Sequence, residues 1–166
     1  MTAPSGRLAG IAVRPARRAP VVELQAAEIA VGAGLAGDHA GKRPLRLVTI
    51  IERESWVEAC AALSPAADPV GGLPWTVRRA NLLTEGVRLP RAAGGVVRVG
   101  RAVLEITGQT YPCSRMEEAR PGLLKALASD WRGGVLCAVI EGGGVAIGDE
   151  VEILKAPPER PRPYLP

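Results

Sequence analysis

The residue whose surroundings point most directly to chemistry is Cys113, in the run Thr110-Tyr111-Pro112-Cys113-Ser114-Arg115-Met116-Glu117. Free cysteine is most often buried and inert, yet the neighbours here are polar or loop-forming. Arg115 stands two residues on, and a cation beside a thiol favours the thiolate, the form that attacks sulfur donors and ligates soft metals. On local sequence alone, a functional thiol and a plain loop cysteine weigh equally. Cys60 and Cys137 provide the contrast. Cys60 falls on the apolar side of a helical pattern and Cys137 lies within Val-Leu-Cys-Ala-Val-Ile, so both read as packing residues.

Two further clusters carry suitable side chains. In Arg78-Arg79-Ala80-Asn81, a strand would turn Arg79 and Asn81 to one face and Arg78 to the other. Arg offers a planar donor fork that matches phosphate and Asn an adaptable amide. A strand end with solvated arginines is an equally good reading. In Gly37-Asp38-His39-Ala40-Gly41-Lys42-Arg43, glycines flank an acid, an imidazole and two cations. A turn with a local hydrogen bond is the simpler reading of that Asp-His pair. No phosphate-binding GxxxxGK[ST], nucleophile-elbow GxSxG or CxxC motif occurs, and His39 is the sole histidine. A tetrahedral zinc site would need nearly every Cys and His to converge. Glu117 and Glu118 read as solvated acids at a helix start.

The elements that must position these residues are short. Strands are expected at 7–13, in one or two pieces over 21–31, at 45–51 and at 78–83. Two more pieces are expected over 96–107, bent at Gly100, then 134–141 and 145–154, bent at Gly148-Asp149. Helical spacing predicts a helix over 52–63, with Trp56, Val57, Cys60 and Leu63 on one face, and a shorter one near 121–130. The remainder, including 31–44, 64–74, 108–122 and the turn 142–144, reads as loop. No repeat is evident. This pattern predicts a mainly β fold: a small closed or partly closed β-barrel with two or more short helices. One domain over 1–155 and a Pro-rich tail over 156–166 are expected.

Composition agrees. The chain has 166 residues, 47% hydrophobic and 23% charged, enough for a core and against wholesale disorder. It holds 20 glycines and 15 prolines, which suits turns, and only three Trp, two Tyr and no Phe. That aromatic poverty, with no long Lys/Arg block, argues against nucleic acid as a partner. The net charge of +4 favours small anionic ligands. No stretch is long and apolar enough for a membrane helix and no signal-peptide core precedes the first strand, so a cytoplasmic location is expected.

Taken together, four segments resemble the MOSC domain family, named for the C-terminal domain of molybdenum cofactor sulfurase. GLAGDHAGKRPLRLVTIIERE is similar to the family's Gly-Asp-His loop, strand and helix. RRANLLTEGVRLP resembles its Arg-Arg-Asn-Leu strand, GRAVLEITGQTYPCSRMEEARPGLLKAL its strand, Pro-Cys loop and helix, and GGVLCAVIEGGGVAIGDEVEIL its closing hairpin. The likeness spans about residues 7–154. Ala80 departs from it, standing inside Arg-Arg-Asn, and would demand a bulge or bring Arg78 rather than Arg79 to the site.

The resemblance implies a β-barrel with Cys113 as the ligand of molybdenum in a pyranopterin (molybdopterin) cofactor. It also implies that Arg78, Arg79, Asn81, Asp38, His39 and Arg115 contribute to cofactor binding. The expected function is reduction of N-hydroxylated substrates, with electrons from a separate redox partner because no flavin or Fe–S motif is present. One alternative is a sulfur carrier that takes a persulfide on Cys113 from a sulfur donor protein. Another is a non-catalytic module for a small anion.

Overall fold

The computed structural model describes residues 4–39, 47–63 and 73–159. Its strands are β1 (Ser5–Val13), β2 (Val22–Leu24), β3 (Ala26–Ala30), β4 (Gly34–Leu35), β5 (Val48–Glu52) and β6 (Leu82–Glu85). They continue as β7 (Val96–Val99), β8 (Ala102–Gln109), β9 (Val135–Glu141), β10 (Gly143–Ala146) and β11 (Glu150–Lys155). Seven close a barrel in the order β1-β11-β7-β8-β9-β5-β6 and back to β1. The strand β2 extends it beside β1, and β10-β3-β4 form a separate small sheet. The fold is therefore the mainly β barrel that the strand pattern predicts.

Within the barrel only β5 and β6 run parallel. A parallel pair needs a crossover, and α1 (Arg53–Ala61) and the 3-10 turn Trp75–Arg78 supply its described part. Two further helices, α2 (Ser114–Ala119) and α3 (Leu123–Ala128), follow β8. Alternation along β5 sorts its side chains into two cores. Ile50 points into the barrel with Leu8, Leu82, Leu104 and Ile106. Ile51 points out and packs with Trp56, Leu83, Met116, Leu123 and Leu127 beneath the helices. Among the described residues, no helix is long and apolar enough to cross a membrane.

Several elements differ from the sequence pattern, each for a local reason. Residues 78–81 are not strand: the 3-10 turn ends at Arg78 and Arg79 is left-handed, at φ 63°. The strand proper starts at Leu82. Residues 114–119, read as loop, form α2 around buried Met116. The glycines at 143 and 144, read as a turn, pair in β10 with Ile29 and Glu28. In α1 the buried residues are Ser55, Trp56 and Ala59, while Val57 lies outside. Cys60 packs at the edge of the outer core, and Cys137 is fully buried in the barrel.

A buried carboxylate organises the loop beside the site. Glu52 accepts from Ser55 Oγ at 2.7 Å, from the Leu89 amide at 2.8 Å and from Arg91 Nη2 at 3.1 Å. Arg91 Nε donates to the Asp130 carbonyl at 2.8 Å. Asp130 and Trp131 both hold positive φ, 52° and 56°, a costly pair for non-glycine residues. The Arg91 bond helps fix that turn, and with it the path of Gly133 and Gly134 into β9. Beyond β11, Glu159 accepts from Arg88 and from the Arg91 amide, so the described part of the tail is tied to the barrel.

Candidate functional site

One end of the barrel gathers the residues singled out in the sequence. The strand β1 ends there, β6 and β9 begin there, and β8 ends there, as the pairings Ile11 with Leu82 and Gln109 with Val135 require. Arg14 therefore follows β1, Arg78–Asn81 precede β6, Thr110–Cys113 follow β8, and Gly133 precedes β9. Segments far apart in sequence meet because the barrel closes.

Cys113 is exposed, in extended backbone immediately before α2, and its carbonyl accepts from the Met116 amide at 2.9 Å. Beneath it lies Arg78, only 7% exposed. Its Nε donates to the Gly133 carbonyl at 3.0 Å and its Nη2 to the Thr110 carbonyl at 3.1 Å. One guanidinium thus ties together the loops on either side of the thiol. Burial lowers the Arg78 pKa to about 10; the charge on Cys113 pulls it back up and Arg14 pushes it further down. Gly133 permits this approach, since a Cβ there would sit 2.4 Å from the Thr110 carbonyl oxygen.

Ala80 is accommodated by the left-handed turn at Arg79. Arg78, not Arg79, is the arginine that feels the Cys113 charge. Arg79 is half-buried at the rim and donates through Nη1 to the Ala19 carbonyl at 2.5 Å. Its pKa is lowered by burial and by the charges of Arg115 and Arg14, against a smaller opposing pull from Asp38. Arg115 is half-buried on α2. These arginines are therefore near enough to press on one another electrostatically.

Asn81 does not share a face with Arg79 as a strand would have it. It is fully buried. Its Oδ1 accepts from the Thr49 amide at 3.1 Å and hydroxyl at 3.2 Å, and its Nδ2 donates to the Ala12 carbonyl at 3.2 Å. It stitches β1 and β5 to the start of β6 below the arginines, and meets them through Arg14 Nη2 at 3.5 Å. Asp38 pairs with Arg14 through Nε at 3.1 Å and Nη2 at 3.0 Å, and accepts the Arg14 amide at 2.8 Å. His39 is exposed, with Nδ1 3.0 Å from the Arg14 carbonyl oxygen. Gly41, Lys42 and Arg43 lie outside the described residues.

Sequence reasoning missed Arg14, Thr110 and Gly133. Arg14 carried one signal, a charge at the close of an apolar strand just before proline. Thr110 and Gly133 carried none, because their roles come from the two backbone carbonyls that hold Arg78. The Thr110 hydroxyl is buried with no hydrogen-bond partner.

The arrangement is one accessible thiol over a buried cation, ringed by further guanidiniums. The model of the MOSC domain matches residues 38–152. The chain belongs to the MOSC domain family. That family is associated with molybdenum cofactor binding and sulfuration. Among solved structures, the YuaD protein from Bacillus subtilis is similar at a TM-score of 0.72 and 18% identity, over 90% of this chain and 95% of that one. YiiM from Escherichia coli matches at 0.63 and 18% identity, over 93% of this chain and 70% of YiiM. YiiM from Geobacillus stearothermophilus matches at 0.61 and 13%, over 90% and 73%. At these identities the likeness is one of fold. No curated protein sequence matches the chain significantly.

Proposed function

We propose that this MOSC protein binds the molybdenum cofactor at the Cys113 end of the barrel and reduces N-hydroxylated substrates with electrons from a separate redox protein. The observation that carries this reading is the exposed Cys113 thiol set over the buried Arg78 guanidinium.

The donor set fits such a group. Among the described residues, no cluster of three or more His, Cys, Asp or Glu could hold a metal ion. The site offers a soft metal one thiolate, so the other ligands must arrive with the metal, as they do in an organic cofactor. The guanidiniums of Arg79 and Arg115 suit the phosphate of a pyranopterin. The unpartnered Thr110 hydroxyl is a buried polar group that a bound ligand would satisfy.

Cys113 Sγ would be the metal ligand. Arg78 would balance the charge of a metal-bound thiolate and holds the Thr110 and Gly133 carbonyls together. Asp38 orients Arg14, and Asn81 supports Arg14 from the core. His39 supplies an exposed imidazole at the rim. When bound, the cofactor supplies two-electron chemistry: an N–O bond breaks, two electrons and two protons are consumed, and an N–H product and water leave.

The test is metal content by mass spectrometry on wild type and Cys113→Ser, each coexpressed with the cofactor synthesis genes. Near-stoichiometric molybdenum in wild type, lost in the variant, is expected. Absence of molybdenum from wild type sinks the reading. The exposed thiol would then favour sulfur transfer, which a persulfide mass increment on Cys113 after incubation with a cysteine desulfurase would reveal.

A further inference from the structure

Over much of this molecule, guanidiniums are matched by carboxylates. Arg88 pairs with Glu159, Arg98 with Glu152 and Arg132 with Glu58. Around Cys113 that matching thins, as it does for Arg101 at the far end. Among the described residues, Arg17, Arg18, Arg79 and Arg115 take part in no ion pair, while Asp38 is bonded to Arg14. Glu117, on the same helix as Arg115, accepts from the Gly122 amide at 2.9 and 3.0 Å.

Arg17 and Arg18 sit on the connection between β1 and β2, and that connection is preformed. Pro15 and Pro20 flank it. The Ala19 amide donates to the Ala16 carbonyl at 3.2 Å, and Arg18 holds φ 62°. The Ala19 carbonyl is the acceptor for Arg79, whose charge is in turn felt by Arg115. The turn is thereby fastened to the rim of the site. Both of its arginines are exposed, and Tyr111, two residues before the thiol, is 66% exposed.

The opposite end of the barrel is mixed in charge. At the start of β8, about 26 Å from its Cys113 end at ~3.3 Å per residue, a surface depression is lined by Asp149, Glu150 and Glu152 beside Arg98 and Arg101. The charges of Arg79, Arg115 and Arg14 press on one another, and a partner bearing carboxylates relieves such repulsion. A cofactor phosphate would be served by Arg79 and Arg115. The outward Arg17 and Arg18 exceed what a small ligand needs.

We infer that the rim formed by Arg17, Arg18 and Tyr111 is a docking surface for an acidic face of the separate redox protein. The inference rests on the proposed function in one respect, that electrons come from outside the chain. Arg and Tyr are the side chains that most often anchor interfaces. Opposed charges steer the encounter and make it salt-dependent. A partner seated here covers Cys113.

The test uses the metal-free protein and a fluorescent deca-glutamate peptide as the probe. Cys113 alkylation by iodoacetamide, followed by peptide mapping, reports coverage of the site. Wild type should bind the peptide at about 20 mM salt and roughly tenfold more weakly at about 150 mM. Bound peptide should slow Cys113 alkylation. The R17E/R18E double variant should weaken binding about tenfold and abolish protection, whereas R98E/R101E at the far end should stay within about twofold. Thermal unfolding checks that both variants fold.

Equal loss in the two variants overturns the docking surface, as does peptide binding that leaves Cys113 unprotected. Protection by inorganic phosphate that R17E/R18E abolishes would make the Arg17-Arg18 turn a small-anion site and also overturn it. Tighter binding of deca-thymidylate than of the peptide would do the same in favour of nucleic acid. None of these readings needs molybdenum. Failure of the docking surface is thus distinguishable from failure of the cofactor reading.

Discussion

Replacing Arg78 by methionine separates the two tasks that the geometry gives this residue. As a clamp, it makes two charged hydrogen bonds, to Gly133 at 3.0 Å and to Thr110 at 3.1 Å. Hydrogen bonds to charged groups contribute about 1.5–3 kcal/mol each, or roughly 3–6 together. Against this, burial lowers its pKa to about 10. At about 1.4 kcal/mol per pH unit, keeping the charge there costs on the order of 3 kcal/mol. Methionine fills similar volume without that cost, so the net loss should be about 0–3 kcal/mol. A chain this long should then melt lower by at most about 6–12 °C.

As a charge, Arg78 interacts with Cys113, and no apolar residue replaces that. The Arg78→Met protein should therefore fold yet lose most of its molybdenum on coexpression. Arg78→Lys keeps the charge but cannot bridge both carbonyls, so it should retain part of the metal while melting lower than wild type. Calorimetry and metal analysis on the same preparations give both readouts. Full metal loading of Arg78→Met would refute the electrostatic role and leave only the clamp. A rise in melting temperature would refute the hydrogen-bond magnitudes.

Gly133→Ala should cost about 1–3 kcal/mol, because its Cβ would fall 2.4 Å from a backbone oxygen that cannot swing away. A melting curve indistinguishable from wild type would show that the loop yields instead. Asn81→Ala should cost about 3 kcal/mol and lower the melting temperature by roughly 6–12 °C, since Thr49 and Ala12 lose buried partners. Rescue by Asn81→Asp is not expected, because the Ala12 carbonyl needs a donor. Glu159 has its pKa lowered, chiefly by the hydrogen bond from Arg88. The stability that its tie to Arg88 and Arg91 contributes should be present above the ordinary carboxylate pKa near 4.5 and lost as pH falls through the lower folded value. The protection factor of the Arg91 amide, its exchange rate referred to the intrinsic rate at each pH, should fall across that interval, and a constant protection factor would contradict the tie.

The barrel was legible because its inward side chains alternate along strands cut by glycine bends. Ile50 and Ile51 show how far such a reading goes: both announce a buried strand, and only the parallel crossover of α1 explains why both faces are covered. Residues 78–81 show where it stops. The apolar pair Leu82-Leu83 made the preceding arginines look like strand, but a left-handed residue at Arg79 depends on the Ala19 carbonyl sixty positions away. Met116 likewise gave α2 too little apolar pattern for a six-residue helix to be seen before its packing was known.

Cys113 stood out in the sequence, and the structure finds it exposed; the arginine that feels its charge was marked there only as a type. Arg78 and Arg79 are chemically identical, and alternation argued for Arg79. The structure distinguishes them by what each nitrogen meets: two backbone carbonyls flanking the thiol for Arg78, and one on a basic turn for Arg79. Ala80 follows the left-handed Arg79, and if it is an insertion into the Arg-Arg-Asn pattern that the sequence resembles, it shifts the two arginines relative to β6. Deleting Ala80 should therefore return Arg79 to the position under Cys113. A deletion variant that binds molybdenum only while Arg79 is intact, and no longer needs Arg78, would show that the insertion exchanged their roles. One that still depends on Arg78 would place the choice in the Gly133 and Thr110 carbonyls instead.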